Sequence, residues 1–214
     1  MGPEGSALHI SENGQDFFVL DKLCYKKQGF FVDIGAADGI TGSNTFILEK
    51  FYKWNGICID PNPALLKSLC GSRDVIISDL CVYKDTGQIL PFKYLNDPNQ
   101  FYGWNLRAGL EECIQDTAVN LNTINVLTVS LNDLLKLYRA PVDIDYISID
   151  TEGSEYEILS TFDFSKYNVK IITVEHKSSD RQKIKLLLES NGFELVDFAP
   201  HIEEDRYINK ELIK

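Results

Sequence analysis

The sequence lacks most of the features that announce a chemistry or a compartment at first sight. Its five cysteines (Cys24, Cys58, Cys70, Cys81, Cys113) form no CxxC pair and leave one odd, which argues against a disulfide framework. Cys58 and Cys81 stand inside apolar runs, the setting of a buried free thiol, and this favours a reducing compartment. No run of about eighteen apolar residues is present to span a bilayer. The N-terminus has no basic-then-apolar signal pattern, so a cytoplasmic protein with no membrane span is expected. Positive charge is scarce as well: 21 basic side chains face 32 acidic ones, a formal net charge of −11. That balance excludes a broad nucleic-acid-binding face and disfavours anionic lipid or polyphosphate substrates. There is no internal repeat and no low-complexity segment. MGPEGS carries no function, and residues 1–14 are set apart as a flexible or appended start.

What is present suits one α/β domain over residues 15–214. The chain's 214 residues and 44% hydrophobic content are enough for a full core. Strand-like runs FFVDI (30–34), GICID (56–60), DVIIS (74–78), DYISID (145–150), VKIITVE (169–175) and FELVDF (193–198) recur along the chain. Segments apolar at helical spacing lie between them: NTFILEKFY (44–52), PALLKSL (63–69), EYEILSTF (155–162) and RQKIKLLLES (181–190). Near-continuous apolar strands that alternate with helices predict a mostly parallel sheet covered on both faces, the doubly wound arrangement. Ligands of such sheets bind beyond the carboxyl ends of the strands. DRYIN, near the end, supplies one more candidate strand. From about residue 94 to 123 the rhythm breaks into an irregular insertion, read as a substrate-side lid because Phe101, Tyr102 and Trp104 are costly to leave in water.

FFVDIGAADG ends a strand in Asp33 and enters a turn with Gly35 and Gly39, which delivers backbone N–H groups to a ligand. The spacing is not the GxGxxG of a dinucleotide site, so a pyrophosphate cradle matches less well than a smaller cofactor. Asp60 ends the next strand, where a carboxylate can accept from both hydroxyls of a ribose, and Pro61 turns the chain beneath that sugar. S-adenosylmethionine needs these parts: a ribose diol for Asp60, an amino-acid end near Asp33, and an adenine slot whose polar edge Asp79 supplies after the third strand.

FFVDIGAADGITGSNTFILEK, WNGICIDPNP, and IDYISIDTEGSEYEIL followed by TVEHK resemble the FkbM-type methyltransferases of the class I, Rossmann-like superfamily. The resemblance runs from about Gln15 to Asn209 and is silent on substrate. It implies a seven-stranded sheet with an antiparallel last hairpin and S-adenosylmethionine as methyl donor. It also implies an oxygen acceptor on a sugar, glycan or small metabolite. By the same resemblance Asp33, Gly35, Ala36 and Gly39 surround the donor's amino-acid end, Asp60 holds the ribose, and Ser43 and Asn44 stand at the following helix start. In plain structural terms Ser43 is also an N-cap.

DTEGSE places Asp150 at a strand end, Glu152 and Gly153 in the turn, and Glu155 in a helix's first turn, where the helix dipole alone explains it. Strand 169–175 is expected to bring Glu175 and His176 to the same edge. An alcohol acceptor is a weak nucleophile until its proton is taken. His176 is the natural neutral base, with Asp150 or Glu152 serving instead or orienting it, and Asp150 also belongs to the donor site. No metal site is assigned. The same carboxylates leave a divalent cation open, with Asp150 and Glu175 as its ligands. Two other readings stay open: a non-catalytic donor-binding or scaffold protein of the same fold, and a nicotinamide-dependent oxidoreductase.

Overall fold

The computed structural model describes residues 11–95, 108–114, 121–196 and 203–213. Its seven-stranded sheet has the order β10-β11-β9-β8-β1-β2-β3, with β1 Phe30–Ile34, β2 Asn55–Ile59, β3 Ile76–Ser78, β8 Asp143–Ile149, β9 Asn168–Glu175, β10 Phe193–Val196 and β11 Glu204–Asn209. The first five in chain order pair in parallel, and β11 runs antiparallel to both β9 and β10. All seven expected strands are there, including DRYIN, and the antiparallel final hairpin is where the resemblance put it.

The helices α1 Gln15–Lys22, α2 Phe46–Tyr52 and α3 Pro63–Ser72 cover one face. The other face packs against α4 Leu131–Leu137, α5 Glu155–Ser160 and α6 Arg181–Ser190. Alternation along each strand sorts the side chains. Val32, Ile34, Ile147, Ile149, Ile172 and Val174 enter the α4–α6 core, while Phe31, Cys58, Tyr146 and Ile171 enter the α1–α3 core. By the same period Asp33, Ser148 and Thr173 face the α1–α3 side, near the carboxyl ends of their strands. Phe31 and Gly56 show how tight that side is: a Cβ on Gly56 would meet the Phe31 ring at 2.6 Å.

A second, four-stranded sheet, order β4-β7-β5-β6, was not foreseen. It consists of β4 Cys81–Tyr83, β5 Ile89–Tyr94, β6 Gly109–Leu110 and β7 Asn122–Ser130, and it encloses a small core of Cys81, Tyr83, Phe92, Leu110 and Val126. Its strands overlap both ends of the stretch expected to be irregular. Phe101, Tyr102 and Trp104, the residues of the expected lid, lie outside the described residues. All five cysteines are free, with Cys58 and Cys81 buried as expected. Among the described residues no helix is long and apolar enough to cross a membrane.

Candidate functional site

The paired rows of the sheet end together. Ile34 is level with Ile59 on one side and Ile149 on the other, and Ile149 is level with Val174. The next residue of each strand is therefore Gly35, Asp60, Asp150 and Glu175, one row across four neighbouring parallel strands. This row lines a cavity of about 660 Å³ at the carboxyl edge of the sheet. A volume within the usual 300–1,000 Å³ of ligand sites suits a nucleoside-sized molecule with room beside it.

Gly35 occupies a place only glycine can take. Its φ is +87°, and a Cβ there would stand 1.7 Å from the Asp150 carbonyl oxygen. The turn beyond it is tied from both sides. Gly35 and Ala36 donate to Ile59 O at 2.9 and 3.1 Å, and Ala37 donates to Asp60 Oδ2 at 2.8 Å. Asp60 Oδ1 accepts from Asn62 N at 2.8 Å, so each carboxylate oxygen keeps lone-pair capacity for a ligand. Burial pushes the Asp60 carboxyl up to about 6, against the two backbone N–H groups that pull it down. Asp33 is also raised by burial, while Arg73 and the Thr45 hydroxyl, which donates to Oδ2 at 2.6 Å, lower it.

Ala36, Ser43, Asn44 and Pro61 line the cavity as expected. Ser43 Oγ accepts from the N–H groups of Thr45 and Phe46 at 3.3 and 3.2 Å, which ties down the chain ahead of α2, but Thr45 and not Ser43 is that helix's N-cap. Asn44 donates Nδ2 to Ser148 Oγ at 2.8 Å, which leaves its buried Oδ1 without a hydrogen-bond partner. A buried acceptor of this kind invites a donor from a ligand.

Three expected positions fall elsewhere. Gly39, at φ +82°, packs on α3 instead of lining the cavity: a Cβ would lie 2.6 Å from Ser72 Oγ and 2.8 Å from Leu69. Asp79 follows β3, level with Asp60, but it is exposed and outside the lining. His176 is the main correction. Side chains alternate along β9, so Glu175 points to the cavity and His176 to the opposite face with Val174. The imidazole is buried there, its Nε2 3.5 Å from Asp205 Oδ2, and Asp205 is already held by Arg181 at 2.8 and 3.0 Å. The geometry does not bring His176 together with Asp150 and Glu152.

Those two acids do line the cavity with Glu175. The Asp150 side chain is exposed where it lines the cavity, yet the protein packed around it, then Glu175 and the nearby Glu152 and Glu155, push its carboxyl well above the carboxylate range. Glu175 is raised as well, mainly by its own burial, with the Asp150 carboxyl beside it. Glu152 sits at φ +61°, a strained conformation for a non-glycine residue. Glu155 holds it there: Oε1 accepts from Thr151 N, Gly153 N and the Thr151 hydroxyl at 3.0, 2.9 and 2.9 Å. The helix dipole is thus the smaller part of what Glu155 does. Among the described residues no group of three or more His, Cys, Asp or Glu side chains is arranged to hold a metal ion.

Other parts of the wall were missed in the sequence. Ser11, Glu12 and Asn13 line the cavity, and Ser11 bridges to Gly42, so residues 11–14 belong with the domain. Glu203 and Glu204 enter from the start of β11, where Gln15 and Arg206 bond Glu204. Cys81, Val82, Phe92 and Leu110 of the second sheet form the apolar side. No Lys, Arg or His is among the described residues of the lining.

In solved structures the chain resembles the precorrin-6y C5,15-methyltransferase from Geobacter metallireducens GS-15, at 13% identity and TM-score 0.49 over 95% of this chain and 90% of that one. It also resembles a TehB-like SAM-dependent methyltransferase from Corynebacterium glutamicum, at 10% identity and TM-score 0.46 over 95% and 90%. No curated protein matches it. Residues 33–195, from the acid of the first turn to the penultimate strand of the sheet, match the methyltransferase FkbM domain, and the chain belongs to that methyltransferase family.

Proposed function

We propose that the cavity binds S-adenosylmethionine and that the protein transfers its methyl group to a hydroxyl of a neutral sugar, glycan or small metabolite. The observation that carries this reading is the single row of Gly35, Asp60, Asp150 and Glu175 across four strand ends, lining one cavity in an FkbM-family domain.

The residues fit such a donor. Asp60 offers open lone pairs to the two ribose hydroxyls, and the bare backbone of Gly35 permits close approach. The buried Asn44 Oδ1 and the Asp33 carboxylate suit an ammonium group. Cys81, Val82, Phe92 and Leu110 supply the apolar slot an adenine needs, a role expected in part from Asp79. A wall rich in carboxylates and free of described cations also favours a positively charged sulfur. When bound, S-adenosylmethionine supplies an electrophilic methyl group on a good leaving group, so alignment carries much of the rate.

The chain's remaining task is the acceptor's proton. The carboxyls of Asp150 and Glu175 stand side by side and are raised above their ordinary range, so an ionised member is a stronger base than a free carboxylate. Glu152, held in its strained turn by Glu155, stands beside them and orients the hydroxyl. The base is therefore sought among Asp150, Glu152 and Glu175, with His176 in a structural role. Family membership replaces the oxidoreductase reading.

The test is a titration with S-adenosylhomocysteine followed by transfer from isotopically labelled donor to polyhydroxy acceptors. Binding, with label on an acceptor oxygen, is the expected result. Label on nitrogen or carbon would overturn the O-methyl reading, and tight donor binding without transfer to any acceptor would return the chain to a binding role.

A further inference from the structure

Just past α3 lies a fully buried cation that does not line the cavity. The Arg73 side chain is 0% exposed and lies beneath the turn that follows β1. Its guanidinium sits 5.4 Å from the Phe31 ring centroid and 6.0 Å from that of Phe46. Arginine is seldom buried so completely unless its charge is paired and its donors are used. Here Nε bonds the Glu49 carboxylate, whose other oxygen accepts from Asp74 N at 2.8 Å. Nη1 donates to Gly39 O and to Ser43 Oγ, both at 3.3 Å, and Nη2 donates to Thr45 Oγ1 at 2.8 Å. The Thr45 hydroxyl, having accepted that bond, passes its own hydrogen to Asp33 Oδ2 at 2.6 Å. Glu49, Arg73, Thr45 and Asp33 thus form one chain of bonds from the back of α2 to the cavity.

We propose that Arg73 is a positioning residue of the donor site: through Thr45 it orients the Asp33 carboxylate, and through Gly39 and Ser43 it pins the turn that surrounds the donor's amino-acid end. This rests on the reading that the cavity holds S-adenosylmethionine. The electrostatics agree. Asp33 faces Cys58 on β2, Tyr146 and Ser148 on β8, and Asp60 beyond the end of β2, none of them cationic. Burial alone would push Asp33 toward its neutral form, and Arg73 is the charge that opposes it, with Glu49 behind. Without Arg73 that opposition is lost, so Asp33 shifts further toward its neutral form and a donor ammonium meets a weaker counter-charge.

The experiment is calorimetric titration of S-adenosylhomocysteine into wild type, Arg73→Lys, Arg73→Gln and Thr45→Val, from about pH 5.5 to about 8.5. Expected is a loss of about tenfold or more in affinity for Arg73→Gln at pH 7, largely recovered at the alkaline end, because the lost groups act by charge-assisted bonds. Thr45→Val, which keeps the buried ion pair, is expected to shift the same way by a smaller factor. Arg73→Lys keeps the charge but not the fork of donors to Gly39, Ser43 and Thr45, so it is expected to keep the wild-type pH dependence with a smaller loss that is the same at every pH. Arg73→Gln leaves Glu49 buried and unpaired, so the double variant Glu49→Gln/Arg73→Gln stands in if the single one fails to fold. Equal, pH-independent losses in every variant, or lower melting temperatures with unchanged affinity, would overturn the role of Arg73. Absence of binding by wild type at any pH would overturn the donor site itself and this inference with it.

Discussion

Asp60 is the residue at which the donor site is most exposed to test. Its carboxyl is nearly out of water and is raised from the usual 3.8 to about 6. A raised acid binds its proton more tightly in the folded chain than in the unfolded one. Its contribution to stability is therefore greatest below the unfolded value and is lost as pH rises through about 6. At neutral pH, the charged carboxylate costs the donor-free fold roughly 3 kcal/mol. Asp60→Ala removes that cost but strips Ala37 N and Asn62 N of their acceptor, a loss of about 1–1.5 kcal/mol for each bond. The two effects nearly cancel, so the melting temperature without ligand should change little. Donor affinity has no such compensation. Losing charge-assisted bonds to the ribose hydroxyls should weaken S-adenosylhomocysteine by about 1–3 kcal/mol, roughly 5- to 150-fold. In wild type the affinity should also fall as pH drops below about 6, a step missing from the variant. Calorimetry and thermal unfolding on the same samples separate these outcomes. Unchanged affinity in Asp60→Ala, or a loss of stability as large as the loss of binding, would refute the reasoning.

Gly35→Ala should fail to fold or lose about 3 kcal/mol or more of stability, read by denaturant unfolding, because its Cβ would strike the Asp150 backbone oxygen at 1.7 Å. Asp150→Asn and Glu152→Gln should each lower turnover by about 10²–10⁴-fold in steady-state kinetics, with donor affinity surviving in Glu152→Gln. Glu155→Ala strands three donors of the 151–153 turn and should cost about 1–3 kcal/mol of stability, with a fall in kcat that exceeds any change in donor affinity. His176→Ala should leave kcat within a fewfold of wild type while lowering the melting temperature, since its ring is packed against Asp205 away from the cavity.

Much of this was legible because the sheet obeys simple periodicities. Six apolar runs and DRYIN became its seven strands, and Asp33, Asp60 and Asp150 stand at the cavity because the ends of β1, β2 and β8 bring them there. His176 misled because adjacency in sequence means opposite faces in a strand: Glu175 and His176 cannot both point at one ligand. Asp79 misled in another way, since the chain turns straight into β4 and the second sheet supplies the apolar wall in its place. That sheet is hard to see in the sequence because NTINVLTVS and ILPFKY flank an aromatic stretch with no clear period. A signal for α4 was available: Ser130 and Asp133 form a capping pair ahead of an apolar run, with Ser130 Oγ accepting from Asp133 N at 3.2 Å. Arg73 gave no local sign. Its role comes from contacts with Thr45 and Glu49, on a helix more than twenty residues earlier in the chain, which no single periodicity reports.

The most direct test of the central claim is a crystal structure with S-adenosylhomocysteine. The account predicts its ribose hydroxyls on Asp60, its amino group near Asp33 and Asn44, its adenine against Cys81, Val82 and Phe92, and its sulfur turned toward Asp150, Glu152 and Glu175. A ligand bound outside this cavity, or one whose sulfur faces away from the three acids, would contradict it.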